Sequence, residues 1–321
     1  MNRIWQAIAA WFRAVADGWN DFWFAVTDPA LLSLLRILTG SMLFYTHLVW
    51  SLDLSAFFGP RPWISLPVLK LLHEAEGSSF AWSHFNLIEA PWLVWIVHIL
   101  ALIILLMYTL GLFSRTTAVL AWLIAVSYLN RISLAEFGLD RVNVMLSMYV
   151  MLGPCGARYS LDRWLKRRRG GLDVPDDVPE SSTATLAVRL IQVHLCVIYF
   201  FAGSRKLLGG AWWDGSAMWQ AVANMEYQSI DLTWLANWPL LVTFMTNLTV
   251  FFELTYPALI WPRATRPIML ALAVFLHLGI VLALGMPTFG LAMLIANAAF
   301  LSSGLVRGLL EPSYRRSLAT A

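Results

Sequence analysis

The sequence has little charge. Only 13% of its 321 residues are Asp, Glu, Lys or Arg, about half the share that is usual in soluble domains. Hydrophobic residues make up 59% of the chain and occur in long continuous blocks. A water-soluble core of this size cannot bury that many apolar residues, so the composition predicts a polytopic helical membrane protein. The alternating pattern of outer-membrane β-strands is absent.

Cysteine and the common site motifs are also scarce. The two cysteines, Cys155 and Cys196, lie at a helix end and inside a helix, so we expect no disulfide, zinc site or thiol redox motif. No Gly-rich phosphate loop, nucleophile elbow or His-x-x-x-His spacing occurs, and we expect no metal. The N-terminus has no short apolar core with a small-residue cleavage site, so no cleaved signal is expected.

Apolar stretches of membrane-spanning length recur along the chain, and each is close to the ~20 residues that cross a bilayer. Before them, residues 1–30 carry Trp and Phe at helical spacing, which predicts an amphipathic helix lying in the membrane interface. The predicted fold is therefore an all-α integral membrane protein with a bundle of about eight transmembrane helices. The predicted spans are 31–50, 92–113, 116–132, 139–155, 187–203, 240–261, 267–285 and 287–303.

Basic residues orient the bundle. Six of them lie between Arg158 and Arg169, so the positive-inside rule places this segment and both termini in the cytoplasm. The run at 166–169 is thus a topology signal, and no nucleic-acid partner is expected. Lys206 then faces the extracytoplasmic side of what we expect to be a bacterial cytoplasmic membrane. The predicted parts are an interfacial helix 1–30, a four-span half 31–157, a hinge loop 158–184, a second four-span half 185–306 and a tail 307–321.

Two outer loops, 51–91 and 204–239, are long and rich in Trp and Phe. Such loops are typical of re-entrant or interfacial segments that cover a cavity open to lipid. An ordinary aromatic belt explains the same composition, and the sequence leaves both interpretations open. The aromatic residues of these loops include Phe57, Trp63, Phe80, Trp212, Trp213, Trp234 and Trp238.

Several predicted spans carry polar side chains that hydrocarbon disfavours. Glu253 is the most costly of them, and we expect His277 or His194 to be its partner. A structural hydrogen-bond network between helices is the alternative interpretation. The other polar side chains in the spans are those of His47, His98, Gln192, Asn247 and Asn297.

Lys206 stands where the fifth apolar run meets an aromatic loop, directly after Arg205. Lysine commonly ends a membrane helix as an interfacial anchor. Here, desolvation and the neighbouring positive charge both favour the neutral amine. A neutral amine can accept a proton, so the sequence predicts that Lys206 is a base.

These residues carry a family resemblance. The segment 199–207 and Trp213-Asp214-Gly215 resemble the strongest motif of vitamin K-dependent γ-carboxylase and its bacterial relatives, the HTTM (horizontally transferred transmembrane) family. The similarity continues, in the same order, along nearly the whole chain. Its further elements are Gly153-Pro154, Ser160-Leu161-Asp162, Phe252-Glu253, Tyr256-Pro257, His277 and the segment 289–300.

The resemblance implies an enzyme. In the carboxylases, the lysine that matches Lys206 deprotonates a reduced naphthoquinone, and oxygen and carbon dioxide then serve the carboxylation of a peptide glutamate. The resemblance thus implies carboxylase or quinol-epoxidase chemistry. The expected partners are a secreted peptide or protein substrate and the lipids of the membrane. Lys206, Glu253 and His277 are the expected catalytic residues, and Arg205, His194, His98, Trp212 and Trp213 are expected to bind a vitamin K hydroquinone-like quinol.

The chain also departs from the carboxylases. It has Asp140 and Arg141 near the family's histidine before the fourth span, and no counterpart of the large luminal region follows the eighth span. The short form resembles stand-alone bacterial members, including the membrane protein of sporulation-delaying peptide toxin systems, which works with a small soluble partner. A non-catalytic factor for maturation or export of a secreted peptide toxin is therefore the alternative function, and a lipid or small-molecule carrier is the third.

Overall fold

The structure is a computed structural model that describes residues 2–75, 77–78, 81–170, 177–312 and 314–315. No strand occurs within these ranges, and one isolated bridge joins Thr27 to Ser181. Single-turn 3₁₀ helices occur at His84–Leu87, Thr233–Asn237 and Ala298–Phe300. The α-helices are α1 (Asn2–Phe24), α2 (Ala30–Trp50), α3 (Leu54–Phe58), α4 (Leu66–Ala75), α5 (Pro91–Leu110), α6 (Ser114–Arg131), α7 (Gly138–Val150), α8 (Leu161–Gly170), α9 (Ser182–Lys206), α10 (Gly210–Trp213), α11 (Ala217–Val222), α12 (Pro239–Leu259), α13 (Arg266–Ala283), α14 (Pro287–Asn297) and α15 (Ser303–Leu310).

The helical class is as predicted, and a helix lies at each of the eight predicted span positions. Four of these helices, α2, α5, α9 and α13, are long and apolar enough to cross a bilayer by length and composition. A fifth is added if Pro287–Phe300 and α15 are counted as one broken span. The chain is therefore an all-helical protein with several apolar helices fit to span a membrane, and the count of eight spans stays a prediction.

Some boundaries differ from the sequence prediction. Helix α7 ends at Val150, five residues before the predicted end of its span, because Gly153 and Pro154 follow and interrupt helical hydrogen bonding. The predicted hinge loop contains helix α8, so much of it is regular structure. Residues 171–176 of that loop, Phe80 of the first aromatic loop and residues 316–321 of the predicted tail lie outside the described residues.

The chain forms two compact units. Unit 1 comprises Met1–Ala135, Val144–Leu190 and Leu301–Ala321, and within it α2 packs against α5 and α15 while α5 packs against α6. Unit 2 comprises Glu136–Asn143 and Ile191–Phe300, and within it α12 packs against α13 and α13 against α14. The predicted division into two four-span halves about a hinge stays a prediction.

Helix α1 leaves its aromatic side chains exposed. Trp5, Trp11 and Trp19 are each at least 60% exposed. They lie on one helix that also carries polar residues. Its C-terminal end is held by Arg189, whose guanidinium donates to the Phe22 carbonyl at 3.0 Å and stacks on the Phe22 ring. An apolar stripe this exposed fits the predicted interfacial position, because lipid would cover it.

The two long loops contain short helices. Residues 51–91 include α3 and α4, and residues 204–239 include α10 and α11. Several of their Trp rings are largely exposed, among them Trp63, Trp213 and Trp238. Covering of a lipid-facing cavity by these segments stays a prediction.

An ion cluster around the buried Arg158 side chain joins three distant segments of unit 1. The Arg158 guanidinium is almost fully buried and contacts Asp28 at 2.6 Å, Asp177 at 2.7 Å and Glu311 at 3.2 Å. Burial opposes its charge, but the hydrogen bonds to Asp28 and Asp177 outweigh that effect and raise the pKa of Arg158. Arg158 therefore has a structural role in addition to its value as a topology signal.

Asp162, from the predicted Ser160-Leu161-Asp162 motif, caps the N-terminus of α6. Its carboxylate accepts hydrogen bonds from the backbone N–H groups of Phe113, at 2.8 Å, and Ser114, at 2.7 Å. Burial alone would raise the pKa of Asp162, but these bonds and one from the Ser114 hydroxyl outweigh it and lower the pKa. The Asp162 carboxylate thus accepts hydrogen bonds from backbone N–H groups that have no partner within α6 itself.

We predict that Asp162→Ala destabilises the fold by about 1 kcal/mol, since α6 then loses a cap, and that Asp162→Asn loses less because an amide oxygen can still accept. Because the folded-state pKa is lowered, this stabilisation is present above the unfolded pKa of about 3.9 and is lost as pH falls through the folded pKa. Thermal unfolding in detergent measures both effects. An unchanged melting temperature for Asp162→Ala at neutral pH would contradict the capping role.

Candidate functional site

A glycine brings α9 and α12 close together. A Cβ atom added at Gly203 would lie 3.0 Å from the Glu253 Cβ and 3.1 Å from two Leu254 side-chain atoms. The helices approach this closely because Gly203 has no side chain. Lys206 follows Gly203 by three residues and lies on the same helix face, so its amine is directed at Glu253.

Lys206 and Glu253 form an ion pair at the end of α9. The amine Nζ donates to Oε1 at 2.8 Å and lies 2.7 Å from Oε2. The side chain of Lys206 is 23% exposed and that of Glu253 is 12% exposed. Oε2 is buried and, among the described residues, has no partner in hydrogen-bond geometry. The Lys206 side chain is thus mostly shielded from water, and both carboxylate oxygens of Glu253 lie against its amine.

The pairing corrects a prediction. The sequence suggested that His277 or His194 would pair with Glu253, but in the structure Glu253 pairs with Lys206. His277 instead hydrogen-bonds Tyr199. The physical reason is the Gly203 contact, which fixes the α9–α12 spacing where Lys206 reaches α12.

The turn after α9 places an aromatic face over the amine. The Gly209 N–H donates to the Lys206 carbonyl at 3.0 Å, and the chain then enters α10. The centroid of the Trp212 ring lies 5.2 Å from Nζ, within the range of a cation–π contact. The neighbouring Trp213 is exposed and donates its Nε1–H to the Leu207 carbonyl at 2.7 Å, which ties α10 to the helix end.

A buried hydrogen-bond chain joins four helices of unit 2. Tyr256 donates to the Asn297 Oδ1 at 2.8 Å, and the Asn297 Nδ2 donates to the Tyr199 hydroxyl at 2.8 Å. The Tyr199 proton is then directed to the His277 Nε2, at 2.6 Å. This direction places the proton of a neutral His277 on Nδ1, which is buried and has no partner among the described residues.

The hydrogen-bond chain and the ion pair share one face of α9. Tyr199 precedes Lys206 by seven residues, two helical turns or about 10 Å along the axis. The Tyr199 ring packs against Phe252, at 5.1 Å between centroids, and Phe252 directly precedes Glu253. The ion pair therefore lies at the end of a helix whose preceding turns are fixed by buried polar and aromatic contacts.

The remaining predicted site residues are less closely connected to the amine. Arg205 is exposed, and its effect on Lys206 stays a prediction. His194 is half-buried on α9, three turns before Lys206. Trp213 supports the turn, and its ring is not the one over the amine.

His98 belongs to unit 1. Its Nδ1 and Nε2 lie 2.7 Å from the Tyr128 hydroxyl and 2.8 Å from the Ser51 hydroxyl. The His47 and His84 rings flank the same tyrosine, with centroids 4.4 and 5.9 Å from it. Burial lowers the pKa of His84 to about 4, so this loop histidine is neutral at physiological pH. The role of His98 in quinol binding stays a prediction.

The two residues near the family's histidine position have structural contacts. Asp140 accepts a hydrogen bond from the Phe137 N–H at 2.9 Å and so caps the start of α7. Arg141 forms an ion pair with Glu136. The start of α7 also packs against Phe289, whose ring lies 6.2 Å from that of His277.

Together, the apolar helices and the exposed aromatic side chains indicate an integral membrane protein with a lysine–glutamate pair at a helix end. Comparison with known families then identifies it further. The HTTM domain matches residues 75–304, well over half of the chain, and the protein belongs to the HTTM family. No curated protein and no solved structure matched the chain. No group of three or more His, Cys, Asp or Glu in the described ranges has the geometry to hold a metal ion.

Sequence reasoning included Tyr199 and Gly203 as members of the motif 199–207 but missed their roles in the site. Tyr199 reads as one aromatic residue of an apolar helix, although its spacing of seven from Lys206 was a usable signal. Gly203 reads as an ordinary small residue of a membrane helix, and only the tertiary contact with Glu253 reveals its role.

We predict that Lys206→Met and Glu253→Leu each destabilise the protein by about 3 kcal/mol, the lower end for losing one partner of a buried pair, because Lys206 keeps some exposure. The double variant should lose less than the sum of the two. Thermal unfolding in one detergent gives all three values, with the exposed neighbour Arg205→Met as control. Additive losses would show that the two side chains do not interact.

Proposed function

We propose that this HTTM protein is a membrane enzyme in which Lys206 accepts a proton from a hydroxyl of a reduced, quinone-like lipid. The chemistry then modifies a peptide or another substrate on the extracytoplasmic side. The observation that carries the proposal is the amine held between a buried carboxylate and the Trp212 ring. A shielded amine of this kind suits proton abstraction from a weakly acidic group.

The ion pair controls where the proton resides. Lys206 and Glu253 hold one proton between them, either as ammonium and carboxylate or as amine and carboxylic acid. Water favours the charged form, and exclusion of water favours the neutral form. An apolar ligand over the pair would remove the remaining water around Lys206, so ligand binding itself would generate the free amine.

The residues of unit 2 fit a quinol. His277 Nδ1 is a buried polar atom that lacks a hydrogen-bond partner among the described residues, and His277 belongs to the predicted site. Such atoms are costly unless a ligand or water satisfies them. A reduced quinone would supply an acidic hydroxyl and reducing equivalents for oxygen, and Trp212 would supply an aromatic surface for its ring.

The orientation is part of the proposal. If all eight helices at the predicted span positions cross the membrane and the basic helix α8 is cytoplasmic, both termini are inside and Lys206 is outside. Lys206 then lies at the membrane level where a lipid headgroup ring and a secreted substrate can both reach it. A small soluble partner could present that substrate.

Transfer of carbon dioxide is outside the proposal. Asp140 caps α7 and Arg141 pairs with Glu136. Neither side chain has a ring nitrogen, so neither replaces the family's histidine. The proposed modification of the substrate is therefore not a carboxylation, and it follows quinol deprotonation and the oxygen-dependent step.

A second function is favoured by the exposed aromatic loop of unit 2. Trp213, Trp234 and Trp238 are each more than half exposed, as expected of a docking surface for a secreted peptide. In this alternative the protein is a non-catalytic factor for peptide maturation or export, and Lys206 is an anchor. Peptide capture that is equal in the wild type and in Lys206→Ala, without quinol turnover in either, would favour it.

We predict that Lys206→Ala lowers oxygen-dependent consumption of a reduced naphthoquinone by at least ~100-fold, the usual contribution of a general base. The assay uses protein purified in detergent, with product separated by chromatography. Arg205→Ala is the matched control, since it removes the adjacent exposed cation and should keep most of the activity.

A thermal unfolding curve must accompany each variant, because loss of Lys206 also breaks the ion pair. Lys206→Ala/Glu253→Leu removes both charges and should be folded but inactive. A folded Lys206→Ala variant with wild-type turnover would refute the catalytic assignment.

A further inference from the structure

Unit 1 contains a pocket of about 320 Å³, and none of its lining residues belongs to the lysine site. Its walls come from α3, the loop that follows it, the last residue of α6 and the residues just after α6. The Phe57 and Trp63 rings pack together at 4.8 Å between centroids and form one wall. Ile132 and Leu134 contribute aliphatic surface, so most of the lining is apolar.

Arg131 is the charged residue of this pocket. Its side chain is buried, with only 3% of the residue exposed, although it lines the cavity. Nη1 and Nη2 both donate to the Ile64 carbonyl, at the long distances of 3.3 and 3.4 Å. Nε is buried and has no hydrogen-bond partner in the part of the chain that the structure describes.

The charge of Arg131 is not neutralised by a side chain. No carboxylate of the described residues lies within ion-pair distance of its guanidinium, whereas Arg158, equally buried, has three. The position of Arg131 in the last turn of α6 gives it some stabilisation from the helix dipole. That stabilisation is small beside the cost of removing a guanidinium from water without an anionic partner.

We propose that this pocket binds an organic carboxylate whose body is apolar. One guanidinium without an ionic partner calls for one negative charge, and a carboxylate oxygen would accept hydrogen bonds from the Nη groups, whose bonds to the Ile64 carbonyl are long. The aromatic and aliphatic walls suit a ring or a short acyl chain, and the volume limits its size. The ligand supplies the counter-charge that the chain does not provide.

The lining argues against two other occupants. A phosphate carries more negative charge than one guanidinium balances, and a bare inorganic anion would leave the apolar walls in contact with water. The proposal does not rest on the function of Lys206, because every lining residue belongs to unit 1.

Benzoate and benzamide are matched probes, since they differ in charge and share a ring. We expect benzoate to bind the purified, detergent-solubilised protein at least tenfold more tightly than benzamide, by isothermal titration calorimetry. Arg131→Gln should reduce benzoate affinity at least tenfold. Arg61→Gln, which removes an exposed cation of the same loop, should leave it unchanged.

Leu134→Trp tests the pocket without touching the charge, and serves if Arg131→Gln does not fold. The larger ring should fill the cavity and abolish benzoate binding while the protein keeps its thermal unfolding transition. Equal affinities for benzoate and benzamide, or benzoate binding that survives both substitutions, would overturn the proposal.

Two further probes distinguish the origin of the natural ligand. Octanoate represents a lipid-derived acyl carboxylate, and N-acetylphenylalanine represents the carboxylate of a peptide end. Tighter binding of one, dependent on Arg131, assigns the pocket to that source. Failure of both, with benzoate also failing, would overturn the assignment of the pocket to carboxylates.

Discussion

Two opposite charges that are buried together must remain paired, and the site in unit 2 depends on this constraint. Lys206 and Glu253 lie within 3 Å of each other with little exposure, and a glycine at position 203 gives the two helices the required spacing. Either charge alone would be strongly unfavourable at the low exposure of these two side chains. The turn that carries Trp212 over the amine is therefore organised around the pair, and the proposed chemistry depends on the proton that the pair shares.

The hydrogen-bond chain behind the pair has a different physical role. Tyr199, Asn297, Tyr256 and His277 satisfy one another across α9, α12, α13 and α14, which fixes these helices at one set of spacings. Buried polar networks of this kind specify a unique packing when most members are paired. The chain leaves one imidazole nitrogen unpaired, so rigidity and an available donor occur in the same network. A preorganised site of this type is what the proposed catalytic role requires.

Hydropathy located the helices well because apolar runs and their Gly and Pro interruptions are local signals. Lys206 and Glu253 were recognisable because a charge in an apolar run is costly. Their pairing was not recognisable, since the sequence indicated His277 or His194 as the partner of Glu253 and only the contact at Gly203 brings Lys206 to it. Arg131 has no distinguishing signal in the sequence, because its missing counter-charge is a tertiary property. The short helices of the two aromatic loops were also hidden, since their packing rather than their pattern forms them.

Ionisation of a bound quinol is the most direct test of the central claim that Lys206 accepts a proton inside a shielded site. Anaerobic titration of the purified protein with a reduced naphthoquinone, followed by difference absorption, separates binding from any reaction with oxygen. The account predicts the spectrum of the ionised quinol with the wild type, and bound but un-ionised quinol with Lys206→Met. The same ionised spectrum with both proteins, or un-ionised quinol bound to both, would contradict it.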